Sequence, residues 1–205
     1  MGPVQRYAEA DVPTAYGLFE IVVFRDPTGL EHLAIVKGDV RGQRGVHVRV
    51  HSECLTGEVL HSLKCDCREQ LDQALAHIGA RERGVVVYLR QEGRGIGLGN
   101  KIRAYALQQK GVDTVDANRM LGFSDDLRTY DAATEILAEL GVASVVLLTN
   151  NPAKVDALRA GGVVIDERLP VHVAPNEHNR DYLLTKRARM GHLLSHLGEL
   201  FLDAE

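Results

Sequence analysis

The stretch Gly84-Val-Val-Val-Tyr-Leu-Arg-Gln-Glu-Gly-Arg-Gly-Ile-Gly97 decides the fold of this 205-residue chain. Its first part, Gly84 to Arg90, is a continuous run of mainly β-branched residues, which is typical of a buried strand. Its second part, Arg90 to Gly97, is a glycine-rich turn directly after that strand. Ser144 to Leu148 repeats the pattern, because another buried strand is followed by a helix start at Asn150-Asn151-Pro152. Strands that alternate with helices in this way are typical of an α/β fold.

The first half of the chain instead predicts hairpins. Two strands, Tyr16 to Phe24 and His32 to Val36, flank the turn sequence Asp26-Pro-Thr-Gly29. Gly45 to His51 alternates valine with polar residues and predicts a half-buried strand. Helices are predicted over residues 68–81, 100–109, 131–140 and 177–196. We therefore predict an α/β fold with a mixed β-sheet core and flanking helices. Its N-terminal half is hairpin-rich, its C-terminal half alternates strands and helices, and residues 1–205 form a single domain.

The composition limits the classes of partner. A formal net charge of −4 at pH 7 argues against a nucleic-acid or membrane-surface binder, whose surface is basic. No apolar run approaches the roughly 18 residues that a membrane span requires, and the N-terminus lacks the apolar core of a signal peptide. The three cysteines are an odd number and lie close together, which favours a reducing compartment over a disulfide scaffold. We therefore expect a cytoplasmic protein with no nucleic-acid and no membrane partner.

All three cysteines, Cys54, Cys65 and Cys67, fall within fourteen residues of one another. Three thiolates suit Zn²⁺, and they leave the fourth position of a tetrahedral site for another group. A protein ligand there makes the site structural, whereas water makes the metal a Lewis acid and a source of hydroxide. His51 is a candidate fourth ligand, although a histidine at a strand end is more often packed or hydrogen-bonded. Asp66, before the helix predicted over 68–81, is expected to cap that helix.

Three further clusters carry polar chemistry. Arg94 in the glycine-rich turn suits a phosphate or carboxylate, although a purely structural turn explains the glycines equally well. Ser124-Asp-Asp-Leu-Arg-Thr-Tyr130 places a carboxylate two residues before an arginine, where a solvated loop is the plainer interpretation. Leu148-Thr-Asn-Asn-Pro-Ala-Lys154 places a lysine in the first turn of a helix. That arrangement suits an anion, although an ordinary helix cap is the commoner explanation.

In their order along the chain, these motifs resemble GTP cyclohydrolase II, the enzyme that opens the guanine ring at the entry to riboflavin biosynthesis. The resemblance covers essentially the whole chain. It rests on Val12-Pro-Thr14, Arg49-Val-His-Ser-Glu-Cys54, Cys65-Asp-Cys67, Arg90-Gln-Glu-Gly-Arg94, Asn100-Lys-Ile-Arg-Ala-Tyr105, Asp113-Thr-Val-Asp-Ala-Asn118, Asp126-x-Arg128-x-Tyr130, Leu148-Thr-Asn-Asn-Pro152 with Lys154, and Lys186-x5-His192. Many bacterial relatives carry a dihydroxybutanone-phosphate synthase domain ahead of this one. The length leaves no room for it, so the resemblance implies the cyclohydrolase activity alone.

The resemblance implies hydrolysis of GTP to a diamino-ribosylamino-pyrimidinone 5′-phosphate, formate and pyrophosphate. One zinc ion per chain, on Cys54, Cys65 and Cys67, is implied as the source of the hydroxide that attacks guanine C8. Three thiolates make zinc-bound water less acidic than three histidines do, so a nearby base or hydrogen-bonding group is expected. Tyr105 is implied to assist the release of formate.

The phosphate half of the reaction is implied to fall to Asp126 and Arg128. In the family pattern Arg128 attacks the α-phosphorus while Asp126 acts as its base, although Arg128 can instead only stabilise transition-state charge. Contacts to GTP are implied for Arg49, Val50, His51, Ser52, Glu53, Gln70, Glu92, Gly93, Arg94, Thr114, Thr149 and Lys154. Glu92 can accept guanine N1–H and N2–H together. Mg²⁺ is expected with the triphosphate, and the family suggests a homodimer.

Three other interpretations remain open from the residues. The cysteines can form a structural zinc site with a histidine, in a binding module rather than an enzyme, although the spacing Cys-x10-Cys-x-Cys is unusual for structural zinc. A relative of the family can stop hydrolysis part way, at the formamidopyrimidine, although the presence of Tyr105 argues against this. A paralogue can act on another nucleotide.

Overall fold

The computed structural model describes residues 3–194. In that range seven strands form one sheet, and seven helices flank it. The strands are β1 (Gln5–Thr14), β2 (Gly17–Arg25), β3 (Glu31–Lys37), β4 (Val46–Ser52), β5 (Gly84–Leu89), β6 (Val145–Leu148) and β7 (Ile165–Leu169). The helices are α1 (Leu55–Glu58), α2 (Cys67–Gly79), α3 (Gly97–Gln108), α4 (Thr114–Met120), α5 (Asp131–Glu139), α6 (Pro152–Ala160) and α7 (Arg180–Met190). A short 3-10 turn spans Glu92–Gly95.

The sheet is mixed, with strand order β1-β2-β3-β5-β4-β6-β7. The first three strands form an antiparallel meander, and β3 is antiparallel to β5. From β5 onward, β5, β4, β6 and β7 run parallel to one another. The predicted α/β class, with a mixed sheet and a hairpin-rich first half, is confirmed. No helix within residues 3–194 has the length and apolar character needed to cross a membrane.

Helices cover both faces of the central strands. On one face, α5 and α6 pack Ile136 and Leu158 against a cluster that includes Val48, Val87 and Leu147. On the other face, α2 packs Ala74 and Ile78 against Phe19 and Val86. Because both faces are covered, the central strands are buried throughout, as parallel sheets usually are.

The prediction that β4 is half-buried is wrong. The valines of β4 are buried as expected, but Arg49 and His51 on the opposite face are buried as well. The physical reason is that β4 lies between β5 and β6 in the centre of the sheet. Its polar residues are therefore not solvated, and they form the floor of a site under α2.

The C-terminal helix is shorter than the predicted 177–196. It spans Arg180–Met190 and ends at Gly191, which has a φ of 63° and adopts the left-handed conformation typical of a helix C-terminus. Residues 195 and 196 lie outside the described residues. Four elements were not predicted: β1, α1, α4 and β7. The strand β1 is exposed along its entire length, and its alternating apolar positions are mainly small alanines, so its strand pattern is weak.

Candidate active site

The site lies where the central parallel strands end. The carboxyl ends of β4, β5 and β6 lie side by side, and the chain leaves them through Glu53-Cys54, Arg90–Gly97 and Thr149–Lys154. This edge is the usual ligand-binding edge of an open α/β sheet. These three segments, which are far apart in the chain, line one pocket here.

Three cysteine sulfurs meet on one wall of this pocket. The Sγ atoms of Cys54, Cys65 and Cys67 all lie within 4.8 Å of one another, and those of Cys54 and Cys65 are 3.7 Å apart. Two sulfurs of a tetrahedral zinc site with Zn–S bonds of about 2.3 Å lie about 3.8 Å apart. The donor set and its spacing therefore fit a soft divalent metal such as zinc.

The helix α1 creates the space for the three sulfurs. Gly57 in α1 faces the cluster, and a Cβ at this position would lie 2.9 Å from the Cys65 Sγ and 3.3 Å from the Cys54 Sγ. A side chain at residue 57 would therefore push two metal ligands apart.

We expect Gly57→Ala to weaken metal binding by about tenfold or more, since forcing a methyl group into a packed site costs about 1–3 kcal/mol. The measurement is zinc affinity by competition with a chromophoric chelator. Gly99→Ala is the matched control, because Gly99 also lies in a helix and a Cβ there meets no atom within 4 Å among the described residues. Equal zinc affinities for the two variants would contradict this packing.

The histidine alternatives for a fourth protein ligand are not supported by the geometry. Within residues 3–194 the group of side chains placed to hold a metal contains the three cysteines and no histidine. His51 is buried, and its Nε2 lies 2.8 Å from Glu58 Oε1, which also accepts the Cys54 backbone N–H. His77 pairs with His47 at 2.9 Å. His51 thus helps to position the backbone of Cys54, because both contact the same oxygen of Glu58.

Asp66 does not cap α2 with its side chain, contrary to the prediction. It occupies the N-cap position, but within the described part of the chain its carboxylate makes no capping bond. Instead Asp66 Oδ1 accepts from Lys186 Nζ at 2.7 Å, and Oδ2 accepts from Gln70 Nε2. Because Asp66 is only 2% exposed, it serves as the buried partner of a lysine from α7.

Gln70 extends this contact to the strands. Its Oε1 accepts from Arg49 NH2 at 2.5 Å, and Arg49 NH1 donates to the Leu148 carbonyl at 3.0 Å. A buried polar chain therefore connects α7, the cysteine loop, β4 and β6. Arg49 Nε is buried without a hydrogen-bond partner within the described residues, so one guanidinium donor of Arg49 is available to a ligand.

The glycine-rich turn brings Arg94 into the pocket. Gly93 and Arg94 both have positive φ, 62° and 61°, a conformation that is strained for arginine. Gly95 lies so close to the next loop that a Cβ would be 3.0 Å from Leu127 Cβ, and the Leu127 N–H donates to the Arg94 carbonyl. Both terminal nitrogens of Arg94 are buried without a hydrogen-bond partner within residues 3–194. These two nitrogens are therefore available to bind an anion.

The side chains of Asp126 and Arg128, which are two residues apart in the sequence, are in contact. Arg128 Nε donates to Asp126 Oδ1 at 2.9 Å and NH2 donates to Oδ2 at 2.5 Å, a bidentate pair. Burial opposes the charge on Arg128, yet the hydrogen bonds to Asp126 hold the Arg128 pKa above its usual value. The neighbouring Asp125 instead makes an exposed bidentate pair with Arg119. Of the two adjacent carboxylates, Asp126 is thus the one paired with the arginine of the pocket.

A further basic side chain enters the pocket from α6. Lys154 is buried, and its Nζ donates to the Val50 carbonyl at 2.7 Å. Burial lowers the Lys154 pKa well below its usual value, and the charges of Arg49 and Arg128 lower it further. Thr149 Oγ1 accepts the Asn151 backbone N–H at 3.1 Å. Thr149 therefore supports the turn that carries Lys154, while its side chain also lines the pocket.

Glu92 is buried as predicted, but its carboxylate is already engaged. Oε2 accepts the Leu55 backbone N–H at 2.7 Å, while Oε1 accepts the Gly93 N–H at 2.7 Å and Lys101 Nζ at 2.8 Å. A carboxylate has about four acceptor positions, so about one is left. Accepting guanine N1–H and N2–H together would require one of these donors to move.

Most of the residues predicted from the sequence line this pocket: Arg49, His51, Ser52, Glu53, Cys54, Cys65, Cys67, Gln70, Glu92, Gly93, Arg94, Tyr105, Arg128, Thr149 and Lys154. Val50 contributes its carbonyl to Lys154 and packs its side chain in the core. Asp126 contacts the pocket residue Arg128. Thr114 begins α4, and its side chain lies outside the described part of the chain.

Sequence reasoning assigned no role to several residues that line the pocket, among them Lys101, Tyr182, Lys186 and His192. Lys101 and Tyr105 are four residues apart on α3, so helical spacing alone placed them on one face. Lys186 and His192 were noticed only as part of a motif. Nothing local in the sequence indicates that α7 folds back onto the cysteine loop.

Basic side chains outnumber acidic ones among the residues that line the pocket. Arg49, Arg94, Arg128, Lys154 and Lys186 all line it, although the formal net charge of the chain is −4. Lined by these residues and by three thiols, the pocket suits a multiply charged anion beside a metal.

Comparison with known proteins agrees with this geometry. The family model of GTP cyclohydrolase II matches residues 5–170. The chain is 52% identical over 197 residues to a GTP cyclohydrolase-2 of Actinobacillus succinogenes, covering 96% of this chain and 91% of that protein. It is 51% identical over 205 residues to a GTP cyclohydrolase-2 of Histophilus somni, covering 100% and 95%.

A third relative is longer. The chain is 50% identical over 192 residues to the riboflavin biosynthesis protein RibBA of Endomicrobium trichonymphae, covering 93% of this chain but spanning only 48% of that protein. The family model and the two relatives of similar length agree in name, and they match nearly all of the described fold. The chain therefore belongs to the GTP cyclohydrolase II family.

Proposed function

We propose that this enzyme hydrolyses GTP to a diamino-ribosylamino-pyrimidinone 5′-phosphate, formate and pyrophosphate, as a step of riboflavin biosynthesis. The observation that carries the proposal is that three cysteine sulfurs, Arg128 with its partner Asp126, and several further basic side chains meet at one pocket. Ring opening needs an activated water, and release of pyrophosphate needs charge stabilisation. The two halves of the pocket supply these separately.

Zinc is the metal proposed for the cysteine wall, one ion per chain, held by Cys54, Cys65 and Cys67. Bound there with three protein ligands, zinc supplies Lewis acidity and an activated water. Mg²⁺ is proposed to accompany the triphosphate and to offset part of its charge. Around these ions, the protein orients the nucleotide and holds the protons that the reaction moves.

The GTP contacts are proposed to divide by chemistry. Arg94 and Lys154 bind phosphate oxygens, since their side-chain nitrogens are buried at the pocket and a phosphate there favours the protonated form of Lys154. Arg49 contributes its unpartnered Nε, while Gln70 holds the rest of its guanidinium in place. The remaining proposed contacts, with the base, the sugar or the phosphates, come from Val50, His51, Ser52, Glu53, Glu92, Gly93, Thr114 and Thr149.

Arg128 is proposed to act at the α-phosphorus with Asp126 beside it. The bidentate contact keeps Arg128 protonated, so it meets the departing pyrophosphate as a cation and stabilises the developing charge. Attack by Arg128 itself would first require a proton to pass to Asp126, and the 2.9 Å contact between Nε and Oδ1 offers a path for it.

The test of the proposed function is product analysis of the zinc-loaded enzyme with GTP and Mg²⁺. Equal amounts of formate, pyrophosphate and the diamino-pyrimidinone monophosphate, identified by mass spectrometry, are expected. Pyrophosphate with a formamide product and no formate would mean that hydrolysis stops part way. An unchanged GTP pool, with zinc bound by four protein ligands, would favour a binding module instead.

Tyr105 is proposed to assist formate release. Its ring lies beside two cations, with Lys64 Nζ at 5.5 Å and Lys101 Nζ at 5.9 Å from the ring centroid, and burial raises its pKa. At neutral pH the phenol is therefore protonated and can donate a proton.

We expect Tyr105→Phe to lower the rate of formate production by about 100-fold or more, the usual effect of removing a general acid. Pyrophosphate release should continue, so a formamide intermediate should accumulate and be visible by mass spectrometry. Tyr7→Phe, at an exposed position on β1, is the control. Equal losses of formate and pyrophosphate in Tyr105→Phe would contradict a role confined to ring chemistry.

The remaining proposals concern the state of the protein in the cell. We propose a homodimer, on the strength of the family resemblance, and a single domain over residues 1–205. A cytoplasmic location is proposed because three free thiols placed to hold a metal favour a reducing compartment.

A further inference from the structure

Lys101 lies between Cys54 and Glu92. Its Nζ lies 3.1 Å from Cys54 Sγ and 2.8 Å from Glu92 Oε1. Its side chain is only 11% exposed and that of Glu92 9%. A buried ammonium in direct contact with one metal ligand, but not itself a ligand, is a candidate for tuning the metal centre.

The chain makes specific room for this lysine. Gly93 faces Lys101, and a Cβ at residue 93 would lie 3.1 Å from Lys101 Cβ. Glu92 then holds the ammonium from one side, while its other oxygen accepts the N–H of Leu55, the residue after Cys54. The contacts of Glu92 and Lys101 thereby connect the glycine-rich turn, α3 and Cys54.

The charge balance explains why a cation belongs there. A divalent metal bound by three thiolates carries a net charge of −1, which weakens its Lewis acidity compared with a site of neutral ligands. A hydrogen bond from an ammonium draws electron density away from the sulfur that accepts it. Lys101 thus opposes the excess negative charge at Cys54 in particular.

We propose that Lys101 is a positioning residue of the metal centre, which holds the Cys54 sulfur by an N–H···S hydrogen bond and offsets the charge of the three thiolates. This inference rests on the proposed zinc site at Cys54, Cys65 and Cys67. It adds a residue that is neither a metal ligand nor one of the proposed GTP contacts. Glu92 is its partner and fixes the direction of the ammonium.

A plainer role for Lys101 is a buried ion pair with Glu92 that only stabilises the fold. Such a pair would leave the electronic state of the bound metal unchanged. The two roles therefore differ in a spectroscopic signature, and an Arg substitution separates them further, because it keeps the charge and the donors.

The experiment uses the full chain loaded with Co²⁺, whose sulfur-to-metal charge-transfer bands report on the thiolates. Lys101→Met should move these bands to longer wavelength, since a sulfur without its hydrogen bond gives up an electron more readily. Lys101→Arg should keep the bands close to their wild-type positions, because arginine retains the charge and the hydrogen-bond donors. Lys110→Met, at an exposed lysine two residues after the end of the same helix, should leave the spectrum as in the wild type.

Two further readouts accompany the spectrum. In zinc-loaded Lys101→Met, alkylation of Cys54 by iodoacetamide, followed by peptide mapping, should become faster relative to Cys65 and Cys67. The kcat for GTP should fall by about 10–100-fold, the usual effect of losing a group that orients a metal ligand, with little change in KM.

The outcomes separate the inference from the proposed function. If wild-type protein binds neither Co²⁺ nor zinc at the cysteines, the metal proposal fails first. If wild-type protein binds the metal and turns over GTP, but Lys101→Met has wild-type bands and wild-type Cys54 alkylation, the role of Lys101 is overturned while the proposed function stands. A spectral shift in Lys101→Met that Lys101→Arg does not show supports the assignment.

Discussion

Replacing Arg128 by lysine is expected to lower GTP turnover by about 100- to 1,000-fold, the usual effect of removing one preorganised donor that stabilises transition-state charge. Lysine keeps the positive charge but loses the planar fork, and it can no longer make the two parallel contacts with Asp126. The loss should appear in pyrophosphate release as much as in formate. Both products are measured under single-turnover conditions with zinc and Mg²⁺ present.

Arg119→Lys is a closely matched control for this substitution. Arg119 also makes a bidentate pair with an aspartate, Asp125, but this pair is exposed on the neighbouring surface. Exposed ion pairs contribute little, so Arg119→Lys should retain nearly wild-type turnover. Wild-type pyrophosphate release by Arg128→Lys would remove both proposed roles of Arg128, as cation and as nucleophile.

Asp126→Asn distinguishes those two roles. An asparagine can still position Arg128 through its amide oxygen, but it cannot take a proton. If Arg128 acts only as a cation, Asp126→Asn should retain more activity than Arg128→Lys. If Arg128 attacks phosphorus, the two variants should be equally impaired, because the nucleophile then depends on proton transfer to Asp126.

The second large effect is expected at Lys186. Lys186→Met should lower the free energy of unfolding by about 3–5 kcal/mol, because it leaves the Asp66 carboxylate buried without its cation. The pair is 2.7 Å long, and its two side chains are 11% and 3% exposed. Burial opposes the charge on Lys186, yet the Asp66 carboxylate raises the Lys186 pKa above its usual value. Urea unfolding, with metal content determined on the same samples, is the measurement.

Two further variants make this prediction specific. Arg187→Met changes the next residue of α7, which is exposed, and should shift stability by no more than about 0.5 kcal/mol. The double variant Asp66→Asn with Lys186→Met should recover part of the loss, since no charge is then left unpaired. A loss below about 1 kcal/mol in Lys186→Met would mean that α7 is not held to the cysteine loop by this contact.

The cysteine cluster and the contact between Asp126 and Arg128 were predictable because each depends on local spacing, while the roles proposed for them came from the family resemblance. Cys65 and Cys67 are separated by one residue, and Asp126 and Arg128 likewise, so short loops bring their side chains together with few alternatives. The buried strands were predictable for a similar reason, since a run such as Val85 to Leu89 can be accommodated only inside a sheet covered on both faces. The mixed α/β class followed from the order of such runs along the chain.

Other features of the site depended on contacts that no local pattern reveals. Asp66 was expected to cap α2, but Lys186, 120 residues later in the chain, donates a hydrogen bond to its carboxylate. Glu92 is still proposed to contact GTP, but no local pattern indicates that Lys101 and two backbone N–H groups also engage its carboxylate. Polar residues in β4 were expected to be solvated, but β4 lies in the centre of the sheet.

The sequence by itself determined the fold class, the three thiols and the Asp-x-Arg pair, because residues close in the chain have few ways to be arranged. Tertiary structure alone decided how these parts are joined. Strand order places β4 between β5 and β6, so that Arg49 reaches the Leu148 carbonyl across 99 residues of sequence. The fold of α7 back over the pocket brings Lys186 to the cysteine loop. Such contacts are favourable only after the sheet has formed, since the entropic cost of closing long loops must first be met by burial of the core.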